Sequence, residues 1–369
     1  METISINGRF LGQPLTGVQR FARELTSALD RRIGRGELPP TLRRARWRLV
    51  VPQGVKADLQ LDHIAVETRG RSSGHLWEQT ALARATWRDT LIGFGGSGPL
   101  LHPRQLTVIH DATIFRHPEA FSRAYRATHT LLGFTLTRTA RIATVSHFSR
   151  GELSAIFRVS SEPIAVIHNA TDHFAKLKPD EAALDRFDLR GKNFFLLVGT
   201  IKPNKNVAFA IRAFAALGLP DWSLVIVGGV EPGVFKETAL GSAERLVFTG
   251  RLSDGEIAAL ERHAGAFVFP SLYEGFGIPP LEAMTQGCPV LAADIPSVRE
   301  ACGEAALYFD PRDLESLTRA MREIVEKPEL HHALAMKGAD NVARFSWDKS
   351  AEALLEVIAE MQGEGLAAS

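Results

Sequence analysis

Short β-branched or aromatic runs alternate with stretches of helical periodicity, and the alternation occurs in two successive series along the chain. The first series predicts strands at TISINGRF, RWRLVVP, DHIAVET, TLIGFG, LTVIHD, RIATVS and PIAVIHN. The second predicts them at NFFLLVGT, WSLVIVGG, ERLVFTG, AGAFVFPS, CPVLAAD and ALYFD. Strands separated by helical patterns imply parallel sheets with crossover helices, an α/β class. Between the series lies ATDHFAKLKPDEAALDRFDLRGK, which opens polar and without apolar periodicity and places a linker near Ala170 to Asp180. Two Rossmann-like domains are therefore expected, residues 1–172 and 173–346. The last strong helical pattern, WDKSAEALLEVIAEM in residues 347–369, is able to dock on either domain, and a return to the first is the expectation. No tandem repeat or low-complexity tract appears, which excludes solenoids and propellers.

The length of 369 residues supports two cores rather than one, at ~150 residues per domain. With 45% apolar and 23% charged residues the balance is that of an ordinary globular protein. No apolar run approaches the ~18 residues of a membrane-spanning helix, and METISINGRF does not read as a signal peptide, so a cytoplasmic location is expected. Cys288 and Cys302 form no C-x-x-C pair, which argues for reduced, buried thiols. The net charge of +1 hides an asymmetry. Residues 1–172 hold 23 Lys+Arg against 14 Asp+Glu, and the remainder hold 20 against 28. Between Asp30 and Arg48 seven arginines stand against two acids, with Trp47 among them. Arginines beside an interfacial aromatic suit an anionic membrane, so peripheral attachment to the inner face of the plasma membrane through Arg43, Arg44 and Arg46 is expected.

The chemistry concentrates in PSLYEGFGIPPLEAM, residues 270–284. It follows a predicted buried strand and leads into a helix whose prolines suit its first turn. Gly275 and Gly277 allow close backbone approach to a ligand, and the helix N-terminus favours an anion. Glu274 is expected in the loop and Glu282 in the first helical turn. Carboxylates match hydroxyls better than phosphates, so the pattern describes a pocket for a sugar joined to a nucleotide.

The stretch Phe269 to Pro311, together with FFLLVGTIKPNKN, WSLVIVGG and LVFTGRLSDGEIAALERHAGAFVFPS, closely resembles glycosyltransferase family 4, retaining enzymes of the GT-B fold. TGVQRFARELTSAL, HLWEQTALARA and TVIHDATIFRHPEAF are similar, more loosely, to bacterial polysaccharide mannosyltransferases. The resemblance implies two Rossmann-like domains facing a central cleft. It further implies that Glu282 holds the ribose, that Glu274 meets the transferred sugar, and that Gly275, Phe276, Gly277 and Ile278 line sugar and phosphates. Lys205 matches the lysine that meets the diphosphate, where a cation stabilises growing negative charge. Thr200 and Lys202 complete that side, and Gly250, Arg251 and Leu252 match the turn near the nucleobase. Many relatives carry an arginine where this chain has Asn204, and Lys202 is the candidate to replace its charge. His110 matches a histidine near the transferred sugar, and Asp111 and Gly17 fall on the acceptor side, Gly17 also near the diphosphate.

Gly93, Gly95 and Gly98 fit G-x-G-x-x-G, but Pro99 and LLHPRQLTVIHD follow where a helix should start, so a mobile cleft loop is expected and NAD binding is not. His129 and His263 read as structural. No cluster has metal-ligand spacing, and neither a metal nor another cofactor is expected. The resulting expectation is a retaining hexosyltransferase acting on a glycan or lipid-linked glycan, with GDP-mannose as leading donor. Same-face substitution is favoured over a covalent intermediate because no carboxylate is evidently placed as nucleophile. Rhamnosyl or other hexosyl transfer, a sugar-nucleotide epimerase, a phosphorylase and a non-catalytic sugar-binding protein are the alternatives.

Overall fold

The computed structural model describes residues 2–199, 202–229 and 245–367. All thirteen predicted strands form: β1 Thr3–Asn7, β2 Arg46–Val51, β3 Ala65–Thr68, β4 Thr90–Gly93, β5 Gln105–Val108, β6 Arg141–Thr144 and β7 Ala165–Val166, then β8 Asn193–Val198, β9 Trp222–Val227, β10 Leu246–Gly250, β11 Ala266–Phe269, β12 Val290–Ala293 and β13 Ala306–Phe309. They build two sheets, ordered β3-β2-β1-β4-β5-β6-β7 and β10-β9-β8-β11-β12-β13, with every pairing parallel. Helices covering both faces bury β4, β5, β11 and β12 completely, which is why β11 and β12 read as unbroken apolar runs. The helices used below are α1 Gly17–Gly34, α2 Arg123–Thr139, α3 Val207–Leu217, α4 Asp254–His263, α5 Ile278–Thr285, α6 Pro296–Cys302, α7 Leu314–Glu326 and α8 Trp347–Ala367.

The sheet order reverses once in each sheet. β1 has β2 and β3 on one side and β4 on the other; β8 has β9 and β10 on one side and β11 on the other. The carboxyl ends of β1/β4 and of β8/β11 are therefore the two switch points at which loops diverge and leave a crevice.

The chain divides into two compact units, one of residues up to Asn169 plus those from Ser346 onward and the other Ala170–Phe345. The first boundary lies before the expected 172/173 because Thr171 already bonds within the second unit, its hydroxyl 3.0 Å from that of Thr285 on α5. The last helix, α8, packs on α1. Trp347 meets Phe21 edge-on at 5.8 Å, Arg32 holds Asp348 at 2.5 Å, and Gln362 donates to the Thr90 hydroxyl at 3.0 Å. In the second unit Phe195, Leu224, Val268 and Leu291 of the sheet pack with Phe214 of α3 and Met321 of α7.

One expectation fails here. Trp47 is 3% exposed, because β2 turns that face into the core, so it is no interfacial anchor. Arg32, Arg35, Arg46 and Arg48 are paired with acids of the first unit, Arg48 with both Glu67 and Asp89. Arg43 and Arg44 remain exposed with no ion pair among the described residues. No helix among those residues is long and apolar enough to cross a membrane.

Candidate donor site at the second switch point

The loop leaving β8 turns through Gly199, whose φ is +159°, into a single 3-10 turn, Pro203–Lys205, closed by Lys205 N–H donating to the Lys202 carbonyl at 2.9 Å. Asn206 then takes a left-handed conformation, φ 55°, and its amide donates to the Pro311 carbonyl at 3.0 Å. Lys205 thus precedes α3 rather than riding on it. The reversal at Asn206 stops helical periodicity from reaching back to the lysine. Lys202 is half-buried at the head of this turn. Thr200 lies outside the described residues.

The loop leaving β11 is sewn to this one. Leu272 N–H donates to the Asn204 carbonyl at 2.8 Å, and the Asn204 amide reaches the Tyr273 carbonyl at 3.4 Å. Asn204 is 5% exposed, so the residue standing where relatives carry arginine joins two loops and supplies no charge. The result of the stitching is the contact between Lys205 Nζ and Glu274 Oε1, 2.5 Å, with the side chains 25% and 15% exposed. The Phe269 ring, 5.8 Å from the same ammonium, adds a weak cation–π contact. Lys205 and Glu274 are 69 residues apart in sequence, and the β8/β11 pairing alone makes them neighbours.

After Glu274 the backbone dominates. Gly275, Phe276 and Gly277 are buried, and Gly277 sits at φ +119°, a conformation that favours glycine, as the N-cap of α5. The Phe276 ring packs edge-on against Phe345 at 5.3 Å, so its side chain belongs to the core. Pro279 and Pro280 remove two of the N–H groups that the first turn of α5 would offer. The N–H groups left for an anion at this helix end are those of the loop and of Ile278.

Glu282, expected in the first turn of α5, is the fifth residue of the helix and lies just beyond that turn. Its carboxylate is 15% exposed and 3.9 Å from His173 Nε2, outside hydrogen-bond reach. Behind it stands Glu261 of α4, fully buried, neither oxygen having a partner among the described residues. Burial first, and then the charges of Glu282 and Asp254, push the Glu261 carboxyl well above the usual range. Sequence reading missed both His173 and Glu261. A glutamate on an amphipathic helix reads as solvated, and nothing local signals that α5 covers it. Gly250, Arg251 and Leu252 are not gathered here. They close β10 at the sheet edge, with β9 and β8 between it and β11, with Gly250 at φ +72° and Arg251 exposed.

In the first unit His110 follows β5. Its Nε2–H donates to the Phe94 carbonyl at 2.8 Å and its ring meets Phe21 edge-on at 4.9 Å. Because a carbonyl only accepts, the lone pair is left on Nδ1. Burial holds the imidazole below its ordinary pKa, against the opposing pull of Phe94 and Asp111, so it is neutral at pH 7. Asp111 Oδ1 accepts from Thr113 N–H at 2.7 Å, and Gly17 is the exposed first residue of α1. The glycine-rich loop after β4 is not the mobile segment expected. Gly96 N–H bonds Val108 O at 2.9 Å, Gln79 donates to Gly98 O at 2.9 Å, and the Ser97 hydroxyl donates to Glu78 at 2.9 Å. A Cβ at Gly98 would fall 2.7 Å from Gln105 Oε1, so packing explains that glycine.

A family model described as glycosyl transferases group 1 matches residues 183–340. The O-antigen chain mannosyltransferase RfbU of Salmonella typhimurium (strain LT2) is 30% identical over 267 residues, 71% of each chain. The O-antigen chain mannosyltransferase B of Escherichia coli is 29% identical over 256 residues, 66% of this chain and 67% of that one. Among solved structures, Anabaena HepE in complex with UDP and glucose superposes with a TM-score of 0.72 at 20% identity, over 98% of this chain and 100% of that one. The likeness in fold, with the two parallel-sheet units, makes the architecture GT-B.

Proposed function

Because this chain belongs to the glycosyl transferases group 1, we propose that it transfers mannose from GDP-mannose to a growing glycan in surface polysaccharide synthesis, retaining the anomeric configuration as in family 4. The observation that carries the reading is the Lys205–Glu274 pair beside the Gly275–Gly277 backbone at a switch point, a cation and a hydroxyl acceptor at one crevice. Support for mannose comes from the names of the two relatives, and support for a nucleotide sugar from the UDP and glucose in the HepE structure.

In the proposed reaction Lys205 and the loop amides meet the diphosphate and stabilise its charge as the glycosidic C–O bond breaks. Glu282 accepts from the ribose and Glu274 from the sugar. The leaving phosphate oxygen takes the proton of the attacking hydroxyl on the same face, so no carboxylate nucleophile is needed. Neutral His110 offers Nδ1 to a sugar hydroxyl. The test is release of free nucleoside diphosphate from GDP-mannose, with UDP-glucose and other hexose donors in parallel, followed by NMR assignment of the product anomer. Absence of release from every donor would overturn the transferase reading; a β-linked product from an α-linked donor would overturn retention.

A peripheral contact with anionic lipid belongs to the same proposal, with its aromatic replaced. Arg43, Arg44 and Arg46 lie at the amino end of the first sheet, as do Arg88 and Arg104 before β4 and β5. The exposed apolar groups on that rim are Trp87, 50% exposed, and Leu101, 79% exposed. Arginines flanking an amphipathic indole suit a headgroup layer.

A further inference from the structure

Glu261 has no part yet in the donor site that it underlies. Asp254, Ala258 and Glu261 recur at i, i+4 and i+7 and share one stripe of α4, and α4 packs on α5, the helix that carries Glu282. Arg262 Nη2 donates to the Gln286 side-chain oxygen at 3.1 Å, and the Gln286 amide donates to the Phe174 carbonyl at 3.3 Å. These bonds fasten α4, the end of α5 and the turn after His173 into one block. Inside it Glu261 has no exposed surface, and neither carboxyl oxygen has a hydrogen-bond partner among the described residues.

The titratable groups around Glu261 either oppose its charge or are engaged elsewhere. Glu282 faces it from α5, Asp254 acts from its own helix, and the Cys288 thiol, before β12, is pushed up by burial and by Glu261 and stays neutral. The short helix Ala182–Arg186 also packs on α4, but Arg186 is held by Glu256 at 2.5 Å, Asp185 by Arg190 at 2.6 Å and the adjoining Glu181 by His263 at 3.5 Å. His173 stands by Glu282, at 3.9 Å. When two carboxyls lie near one another their titrations separate, and burial decides which of them keeps the proton. The enclosed Glu261 keeps it, and Glu282, 15% exposed, carries the charge.

We propose that Glu261 is a proton-linked positioning residue for the donor: as a neutral acid it leaves Glu282 the single charge facing the ribose, and its ionisation in alkaline solution drives Glu282 away and weakens nucleotide binding. The ribose role of Glu282 rests on the proposed function; the link to Glu261 rests on the packing of α4 under α5. A carboxylate formed at Glu261 would have no donor to accept from and a second carboxylate before it. Of the two, only Glu282 reaches water, so Glu282 is the one that moves. Burial, then the charges of Glu282 and Asp254, raises the Glu261 carboxyl well above the ordinary range. The neutral form is therefore complete below that raised value and is lost, its proton passing to solvent, as pH rises through it. By linkage, nucleotide binding in that range takes the proton back up.

The test is calorimetric titration of the full-length protein with GDP, and with pyrophosphate as a ribose-free probe, between about pH 6.5 and pH 9. Across this range the GDP dissociation constant of the wild type should rise at least fivefold more than that of Glu261→Gln or Glu261→Met, a comparison in which the nucleotide's own ionisation cancels. Pyrophosphate should give profiles that agree within twofold in all three proteins. At the alkaline end, GDP titrations in buffers of different ionisation enthalpy should report proton uptake by the wild type and less by either variant. Circular dichroism at each pH checks that the proteins stay folded. Parallel GDP profiles in the wild type and both variants overturn the proposal. A pyrophosphate profile that diverges as strongly as that of GDP overturns it too, since Glu261 would then act as a remote charge and not through Glu282. If Glu282→Ala binds GDP as the wild type does, the ribose reading fails and takes the link with it; if Glu282→Ala weakens binding while the profiles stay parallel, the link alone fails.

Discussion

Replacing Glu274 by glutamine separates two tasks that the Lys205–Glu274 contact joins. The Lys205 ammonium sits 2.5 Å from the carboxylate, with 25% and 15% of the side chains exposed. A diphosphate arriving at Lys205 must share that ammonium with Glu274, and it also meets the carboxylate's own negative charge. Both effects oppose nucleotide binding, and both vanish in Glu274→Gln. A charge-assisted hydrogen bond contributes ~1.5–3 kcal/mol when buried, and partial exposure screens it to about 1–2 kcal/mol. At 1.4 kcal/mol per decade, Glu274→Gln should bind GDP and UDP roughly 5- to 30-fold more tightly than wild type. Turnover should move the other way, falling by roughly 10²-fold because the sugar loses its positioning group. Calorimetric titration at low and moderate salt reads the first quantity, with the gain shrinking as salt rises, and nucleoside diphosphate release reads the second. In Lys205→Met the Glu274→Gln gain should shrink without vanishing, because the competition for the ammonium is gone while the carboxylate's repulsion of the diphosphate remains. Unchanged or weaker nucleoside diphosphate binding in a folded Glu274→Gln protein would refute the competition between carboxylate and diphosphate.

Glu282→Ala should weaken GDP binding by ~1–3 kcal/mol through loss of the ribose contact, measured by the same titration, and an unchanged affinity would remove Glu282 from the donor site. His110→Ala should lower turnover by roughly 10- to 100-fold while leaving GDP affinity within a factor of two; normal turnover would return His110 to its bond with Phe94 O. Glu261→Met should stabilise the protein by about 1–3 kcal/mol at pH 8 and by less at pH 5. The folded carboxyl is raised, so its contribution is fully present below the ordinary carboxylate pKa and is lost as pH rises toward the folded value, whereas methionine has no such dependence. Denaturant unfolding at the two pH values checks this, and a difference that does not grow with pH contradicts it. Vesicles carrying anionic lipid should sediment the protein at low salt and release it at high salt. Replacing Arg43 and Arg44 with glutamine together with Trp87→Ser should abolish sedimentation, and a wild type that ignores such vesicles would refute the lipid contact.

Local periodicity was enough to reveal every strand among the described residues and the α/β class, because apolar runs flanked by turn residues report burial of a segment without reference to its neighbours. The strand–loop–helix after β11 was legible for the same reason. Glycines, prolines and glutamates at short spacing constrain a backbone within a few residues, and the motif also carried the family. Contacts set by sheet order were not legible. Lys205 meets Glu274 across 69 residues only because β8 pairs β11, and Glu78 gathers Asn7, Arg9 and Ser97 only because β1 pairs β4. Trp47 and Glu261 failed in the same way from opposite directions. An aromatic among arginines turned inward, and a glutamate among alanines was covered by α5, since which face of an element is buried depends on what packs there. The end of the chain was ambiguous until Trp347, Asp348 and Gln362 found Phe21, Arg32 and Thr90 in the first unit. Segment identity thus follows from short-range backbone preference and hydrophobic pattern, while pairing, burial of charge and the composition of each crevice follow from long-range strand order, which no local stretch of residues encodes.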